Sequence, residues 1–253
     1  MDAIGREEAE IKGHGTPLTV EQIEEVLKRQ KKALCQIKTV NFNKLASGFL
    51  CRIPTPVLIT NSHVLNEDQI KEGETIYISF EDGQISKKIL IDKKRKTISF
   101  YIVDEVNIDV TIIEVRPKED GLEDQMFLEL DKNIMAENPD SKFLKEDVYI
   151  IQYPGQKLNK KSSFTNGVIK AVVNEQPINS YEIQHSCWTT EGSSGSPIIT
   201  YDNKVIGVHK AGTDKMNFNK GTLLTYPVKE FYKKNTITCI YIIDIKKEGI
   251  KIF

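Results

Sequence analysis

The segment from Glu191 to Pro197, Glu-Gly-Ser-Ser-Gly-Ser-Pro, constrains the chain more than any other stretch. Its small side chains offer almost no apolar surface, so core burial does not explain it. Glycines beside serines let the backbone take sharp dihedral angles and turn its amide hydrogens inward. Such a turn can expose a hydroxyl for nucleophilic attack and place amides where an oxyanion forms. Taken alone, the segment is explained equally well as a hairpin turn.

Two other stretches favour the catalytic interpretation. His63 follows the apolar run at 57–60, and Asp109 lies among apolar residues in the segment 107–113. Taken alone, His63 would be interpreted as a surface histidine. A histidine, an aspartate and a serine in this order, each beside a strand-like run, predict side chains that act together. Asp104 lies near Asp109 in the sequence and is the alternative acidic partner.

Short β-branched runs separated by turn signals begin at Cys35 and predict a closed sheet or barrel in two antiparallel halves. The candidate strands of the first half are Gln36–Val40, Gly48–Ile53, Val57–Thr60, Thr75–Phe80, Lys88–Ile91, Ile98–Val103 and Val110–Val115. Those of the second half are Val148–Gln152, Gly167–Val173, Tyr181–His185, Ser196–Thr200, Lys204–Val208 and Gly221–Thr225. A charged, irregular stretch at 116–147 is the expected connection.

Helices are predicted on both sides of the strands. Thr19 and Gln22 fit a capping box. Apolar residues then recur at helical spacing, at Val20, Ile23, Val26 and Leu27. We expect this helix to pack on the domain surface; a partner-binding or autoinhibitory arm is the alternative. Residues 228–234 predict a second, short helix, and the alternating tail at 237–253 predicts one more strand or hairpin.

The charge balance argues against several classes of partner. Lys and Arg number 35 and Asp and Glu 36, so the formal net charge of −1 gives no bulk attraction to nucleic acid or anionic membranes. No run is apolar enough to span a bilayer, and the first residues lack the apolar region of a signal peptide. We therefore expect a cytoplasmic protein. A secreted protein whose leader was removed before residue 1 would have the same composition.

The cysteines and histidines predict neither a disulfide framework nor a metal site. The cysteines are scattered through a chain of ordinary domain size, at Cys35, Cys51, Cys187 and Cys239. This pattern indicates free thiols and a reducing compartment. His14 and His185 lack the spacing of metal ligands, and no phosphate-binding loop is present. We therefore expect no cofactor.

Four stretches together resemble the chymotrypsin-like (trypsin-like) serine proteases, and most of all the bacterial glutamyl endopeptidases. They are ASGFLCRIPTPVLITNSHVL at 46–65, NIDVTIIEV at 107–115, VYIIQYPGQ at 148–156 and TTEGSSGSPIITYDNKVIGVHKAG at 189–212. The match extends over residues 34–235. The resemblance implies an all-β fold of two antiparallel six-stranded β-barrels, with the active site in the cleft between them.

The resemblance and the strand pattern together predict four segments. Residues 1–33 form an N-terminal helical extension, and residues 34–125 form the first barrel, which carries His63 and Asp109. Residues 126–235 hold the connecting segment and the second barrel, which carries Ser194. Residues 236–253 form a β-like tail.

The three side chains have distinct roles in the resulting hypothesis. Ser194 is the nucleophile, His63 takes its proton and returns it to the leaving amine, and Asp109 orients the imidazole. The backbone amides of Gly192 and Ser194 form the oxyanion hole. Ser193 lines the turn.

The resemblance also assigns the pocket for the substrate residue before the cleaved bond, P1. Thr189 and His209 correspond to residues that bind a P1 Glu or Gln in the relatives. A hydroxyl and an imidazole can donate to a carboxylate or an amide oxygen. The alternative for His209 is a half-buried strand histidine. The run Lys210-Ala211-Gly212 would offer its backbone to an extended substrate.

One departure from the digestive relatives leaves a structural question open. They carry an aspartate immediately before the nucleophile, where a new amino terminus pairs with it after activation. Ser193 occupies that place here, so that activation switch cannot operate and the element that holds the loop is not identified by the sequence. We expect a serine endopeptidase cutting protein or peptide substrates after Glu or Gln. The alternatives are a catalytically silent peptide-binding module and a protease regulated through a partner of the N-terminal helix.

Overall fold

A computed structural model describes residues 18–38, 45–155, 161–212 and 217–234 of the chain. Helix α1 spans Val20–Lys32, helix α2 spans Asp140–Phe143, and residues 225–234 form a third helix, α3. The strands are β1 Leu34–Lys38, β2 Leu45–Ile53, β3 Thr55–Thr60, β4 Thr75–Phe80, β5 Ile85–Leu90, β6 Thr97–Val103, β7 Val106–Glu114, β8 Leu128–Leu130, β9 Asp147–Gln152, β10 Ser163–Glu175, β11 Ser180–His185, β12 Pro197–Thr200, β13 Lys204–Ala211 and β14 Asn219–Leu223. The prediction of an all-β protein is confirmed.

The second half closes into a six-stranded barrel. Its antiparallel pairs run β9–β10–β11–β14–β13–β12, and β12 pairs back onto β9. Closure leaves no free strand edge in this ring. The strand carrying His209 and strand β12, which follows the loop of Ser194, are therefore neighbours in one closed barrel.

The first half is an antiparallel path of seven strands, one more than the barrel that the resemblance implies. The order is β5–β4–β1–β2–β3–β7–β6. Strand β3 ends just before His63, and its partner β7 contains Asp109. The antiparallel pairing of these two strands is what brings the two side chains to one end of the sheet.

The connection between the halves is more ordered than predicted. Strand β8 lies within the stretch expected to be irregular, and pairs in parallel with both β2 and β13. Helix α2 and a short 3-10 helix at Lys132–Met135 lie there too. A three-residue strand gives no measurable alternation in the sequence, so the pattern alone missed it. The predicted boundaries at 34–125 and 126–235 stay predictions.

The core explains why the strands of the first half are apolar on both faces. In β2, Phe49 and Cys51 belong to a large buried cluster that also contains Ile150 and Ile198 of the second half. The intervening Leu50 belongs to a separate cluster within the first half. Successive strand residues point to opposite faces. One face of the sheet therefore packs within the first half, and the other packs against the second half.

Helix α1 begins as predicted. The Thr19 hydroxyl accepts from the Gln22 amide at 3.3 Å, and the Gln22 side chain accepts from the Thr19 amide at 2.8 Å. Of the apolar stripe, Val26 is buried, whereas Val20, Ile23 and Leu27 are exposed. Within the described part of the chain, no helix has the length and apolarity needed to cross a membrane. Residues 237–253, predicted as strand or hairpin, lie outside the described residues.

The described cysteines are free thiols. Cys35, Cys51 and Cys187 are all buried and unpaired with one another. Burial raises the pKa of each thiol, because an apolar environment disfavours the charged thiolate. The prediction of free thiols is confirmed for these three, and Cys239 lies outside the described residues.

Candidate active site

His63 and Asp109 are directly joined. Nδ1 of His63 lies 2.6 Å from Oδ2 of Asp109, and the His63 backbone amide donates to Oδ1 at 2.9 Å. The Asn61 side chain donates to the Asp109 carbonyl at 2.8 Å. The Asp109 side chain is 6% exposed, whereas that of His63 is 39% exposed. One buried carboxylate therefore fixes the ring and the backbone of an accessible histidine.

The backbone of Asp109 is held in an unusual conformation. Its φ of +52° lies in the left-handed region, which non-glycine residues adopt at a cost and aspartate tolerates better than most. The second half holds the residues just before it. The Thr222 hydroxyl donates to the Ile108 carbonyl at 2.6 Å, and the Lys210 ammonium donates to the Asn107 carbonyl at 2.9 Å.

Asp104 is not the partner of His63 in this structure. It lies in the turn between β6 and β7, where it is exposed and also has a positive φ of 46°. Its place in a tight turn explains its presence, because aspartate is favoured where the chain reverses. The geometry separates two acidic candidates that the sequence alone left open.

The loop of Ser194 depends on two glycines. Gly192 and Gly195 have φ values of +93° and +86°. A Cβ on Gly195 would lie 2.0 Å from the Ser47 carbonyl oxygen and 2.4 Å from the Thr60 hydroxyl. A Cβ on Gly192 would lie 2.6 Å from the carbonyl oxygen of Tyr153. Both positions therefore require glycine, for conformation and for space.

The loop is anchored to both halves of the molecule. The Ser47 amide donates to the Ser194 carbonyl at 2.9 Å, and the Gly195 amide donates to the His209 carbonyl at 3.0 Å. The Ser193 hydroxyl, fully buried, accepts from the Thr190 amide at 3.1 Å. These bonds attach the loop to strand β2 of the first half and to strand β13 of the second half.

The predicted P1 residues lie next to this loop. Thr189 is half-buried in the segment before it, and His209 is buried, with its amide donating to the Ser196 carbonyl at 2.8 Å. Burial, and to a lesser degree the electrostatic effect of His63, lowers the pKa of His209 to about 3, while a hydrogen bond with the Lys220 backbone acts in the opposite direction. His209 is therefore neutral at physiological pH.

A second histidine lies behind the first. Nε2 of His185 is 3.2 Å from Nδ1 of His209, and the two rings meet edge to face. His185 is fully buried, and its burial and the neighbouring His209 lower its pKa well below the usual value. No sequence signal places His185 at a functional site, because its contact with His209 depends on strand β14, which pairs with the strands of both histidines.

The run at 210–212 has mixed environments. The Lys210 side chain is buried and pairs with Glu182, whose carboxylate lies 3.1 Å from the ammonium. Ala211 and Gly212 are exposed at the end of β13. The predicted backbone contribution of all three residues to substrate binding stays a prediction. In the described residues, no group of three or more His, Cys, Asp or Glu is arranged to hold a metal ion.

A comparison with protein families decides the affiliation. The model for the trypsin-like peptidase domain matches residues 46–208, which is more than half of the chain. The chain belongs to the trypsin-like peptidase family. The matched residues of this peptidase domain include His63, Asp109 and the loop at 191–197.

Solved structures support the same fold. The peptidase domain is similar to the serine endoprotease from Yersinia pestis, with 15% identity and a TM-score of 0.55, over 86% of this chain and 67% of that one. It is similar to the inactive form of the Rv3671c protease, with 14% identity and a TM-score of 0.60, over 87% of this chain and 96% of that one. It is also similar to a mutant, inactive form of Rv3671c from M. tuberculosis H37Rv, with 15% identity and a TM-score of 0.58, over 87% of this chain and 95% of that one. The predicted chymotrypsin-like fold is confirmed.

Proposed function

We propose that the chain is a serine endopeptidase that cleaves protein or peptide substrates through Ser194, His63 and Asp109. The single observation that carries this proposal is the double contact of Asp109 with His63, at 2.6 Å to Nδ1 and 2.9 Å to the amide. Such a contact keeps the proton on Nδ1 and leaves Nε2 free to act as a base. We propose neither a nucleic-acid nor a membrane partner and no cofactor.

The proposed reaction proceeds in two halves. Nε2 of His63 takes the Ser194 hydroxyl proton as Oγ bonds to the scissile carbonyl carbon, and the carbonyl oxygen becomes an oxyanion. Protonated His63 then gives that proton to the leaving amine, the C–N bond breaks and an acyl-enzyme remains. Water then gives a proton to His63 as its oxygen bonds to the acyl carbon. The bond between that carbon and Ser194 Oγ breaks while His63 returns the proton to Oγ, which releases the acid product and regenerates the enzyme.

The oxyanion is assigned to the amides of Gly192 and Ser194. The positive φ of Gly192 and the space limit at its Cα support this assignment, because they favour a tight turn that only glycine allows. Backbone donors of this kind are already oriented when charge develops. Loss of one such donor typically lowers kcat about 100- to 1000-fold.

The state of the two buried histidines favours Gln over Glu at P1. The bond with the Lys220 backbone raises the pKa of His209, as expected when the imidazole is the donor. We infer that His209 carries its proton on the nitrogen away from His185 and that His185 donates to its Nδ1. A neutral His209 supplies no positive charge, so a buried P1 carboxylate would lack the counter-charge that it requires, whereas a P1 amide needs none. We therefore propose a P1 pocket similar to that of the glutamyl endopeptidases but with a preference for Gln over Glu.

Peptides that differ only at P1 test this preference. At pH 8 we expect cleavage after Gln to be at least about tenfold faster than after Glu. A penalty of one pK unit for binding the charged Glu side chain already corresponds to a tenfold difference in rate. As the pH falls from 8 to 6, the protonated fraction of a P1 Glu rises about tenfold per unit. The ratio of kcat/KM for Gln to that for Glu should therefore fall with pH.

Taking the ratio cancels the effect of pH on the catalytic residues, because the same residues cleave both peptides. A peptide with Lys at P1 and the Ser194→Ala variant serve as negative controls. In His209→Ala we expect the preference for Gln over Ala at P1 to be lost. Faster cleavage after Glu than after Gln at pH 8 would indicate a positively charged pocket and contradict this assignment.

A further inference from the structure

Ser47, in strand β2 of the first half, contacts the nucleophile loop at two points. Its hydroxyl donates to the Gly192 carbonyl at 2.9 Å, and its amide donates to the Ser194 carbonyl at 2.9 Å. The residues held in this way are the two whose amides are assigned to the oxyanion hole. Ser47 itself is fully buried.

The Ser47 hydroxyl is itself held in one orientation. It accepts from the Tyr153 amide at 2.9 Å, which leaves its proton directed to Gly192. The Ser47 carbonyl accepts from the Thr60 hydroxyl at 2.8 Å, at the end of β3. Ser47 therefore has both its backbone groups and its side chain engaged, and it joins the strand before His63 to the loop of Ser194.

Gly192 needs an external anchor for a physical reason. A glycine has more accessible φ and ψ values than any other residue, so the peptides on either side of Gly192 rotate easily. The Gly192 carbonyl lies in the peptide plane that joins Gly192 to Ser193, so fixing it restrains ψ of Gly192 and the backbone between the two assigned amides. Among the described residues, the Ser193 hydroxyl bonds to Thr190 within the loop and to no other element.

We propose that Ser47 is a positioning residue that holds Gly192 and Ser194 in the conformation in which their amides face the oxyanion. This inference rests on the proposed peptidase function. It assigns to a serine in the first half the task that the aspartate before the nucleophile performs in the digestive relatives. It also makes formation of the oxyanion hole depend on the docking of the two halves.

The test is the rate at which a fluorophosphonate probe labels Ser194 in Ser47→Ala. The phosphoryl oxygen of the probe occupies the oxyanion hole, so the rate reports on the hole without knowledge of the substrate. We expect labelling to be about 10- to 100-fold slower than in the wild type, less than for outright loss of a donor, because the amides remain but are no longer held. Rates are compared per folded molecule, measured by circular dichroism below the unfolding transition.

Matched variants separate positioning from general destabilisation. The Ser196 hydroxyl is buried in the same loop and has no hydrogen-bond partner among the described residues. Ser196→Ala should therefore label within about twofold of the wild type, since no hydrogen bond is lost. Ser47→Cys keeps the side-chain shape with a weaker donor and should give an intermediate rate, which keeps the test decisive if Ser47→Ala does not fold.

The outcomes distinguish this inference from the proposed function. If the wild type does not label, the proposed function fails. If the wild type labels, and folded Ser47→Ala and Ser47→Cys both label within threefold of it, Ser47 does not position the loop. With a peptide substrate, the expected loss lies in kcat with KM nearly unchanged, which a purely structural defect would not produce in the folded fraction.

Discussion

His63→Ala is expected to lower kcat for peptide hydrolysis about 10⁶-fold, the scale measured when the base of such a triad is removed. The Ser194 hydroxyl is a weak nucleophile at its own pKa and requires a base that accepts its proton during attack. The ring of His63 is accessible while its Nδ1 is held by Asp109 at 2.6 Å. The measurement is steady-state cleavage of a fluorogenic peptide with Gln at P1.

The fold should tolerate this change. The His63 side chain is 39% exposed, so its removal leaves no large cavity. The thermal midpoint of His63→Ala should therefore stay close to that of the wild type. A loss of less than about 100-fold, within the range of general acid–base contributions alone, would mean that another group deprotonates the nucleophile.

Asp109→Asn is expected to lower kcat about 10⁴-fold at neutral pH, because an amide in place of the carboxylate favours the wrong imidazole tautomer. Asparagine retains an oxygen that can accept from the His63 amide, so the local backbone contact is preserved. The amide nitrogen would then face Nδ1 of His63 and drive its proton to Nε2. The same fluorogenic assay reports this loss.

Asp104→Asn is the matched control for this substitution. Asp104 lies five positions earlier, in the exposed turn between β6 and β7. The activity of the Asp104→Asn variant should stay within about twofold of the wild type, as is usual for surface substitutions away from structurally important contacts. A large loss in Asp104→Asn, or less than a tenfold loss in Asp109→Asn, would contradict the assignment of the acidic residue.

The sequence predicted the strands best where alternation is complete. Strand β4 was predicted with its observed bounds, Thr75–Phe80, because buried Ile76, Ile78 and Phe80 alternate with more exposed residues. The predicted start of strand β5 lies three residues after the observed start, because the lysines of this strand hide the alternation of apolar and polar residues. Strand β8 was missed because its three residues are ordered by partners from both halves.

The candidate site was predictable only where one residue type carries the signal. The glycines around Ser194 predict a sharp turn, and their positive φ values agree with that prediction. The choice between Asp104 and Asp109 required the register of β3 against β7. Ser47 and His185 gave no signal, because a serine or a histidine in a strand has many ordinary explanations.

The most direct measurement is fluorophosphonate labelling of the full chain, with the adduct located by peptide mapping. Labelling requires an activated hydroxyl and a formed oxyanion hole, which are the two elements of the proposed mechanism. We predict one adduct, on Ser194, and no labelling in Ser194→Ala. A folded wild-type chain that remains unlabelled would contradict the account and favour a peptidase fold that binds peptides without cleaving them.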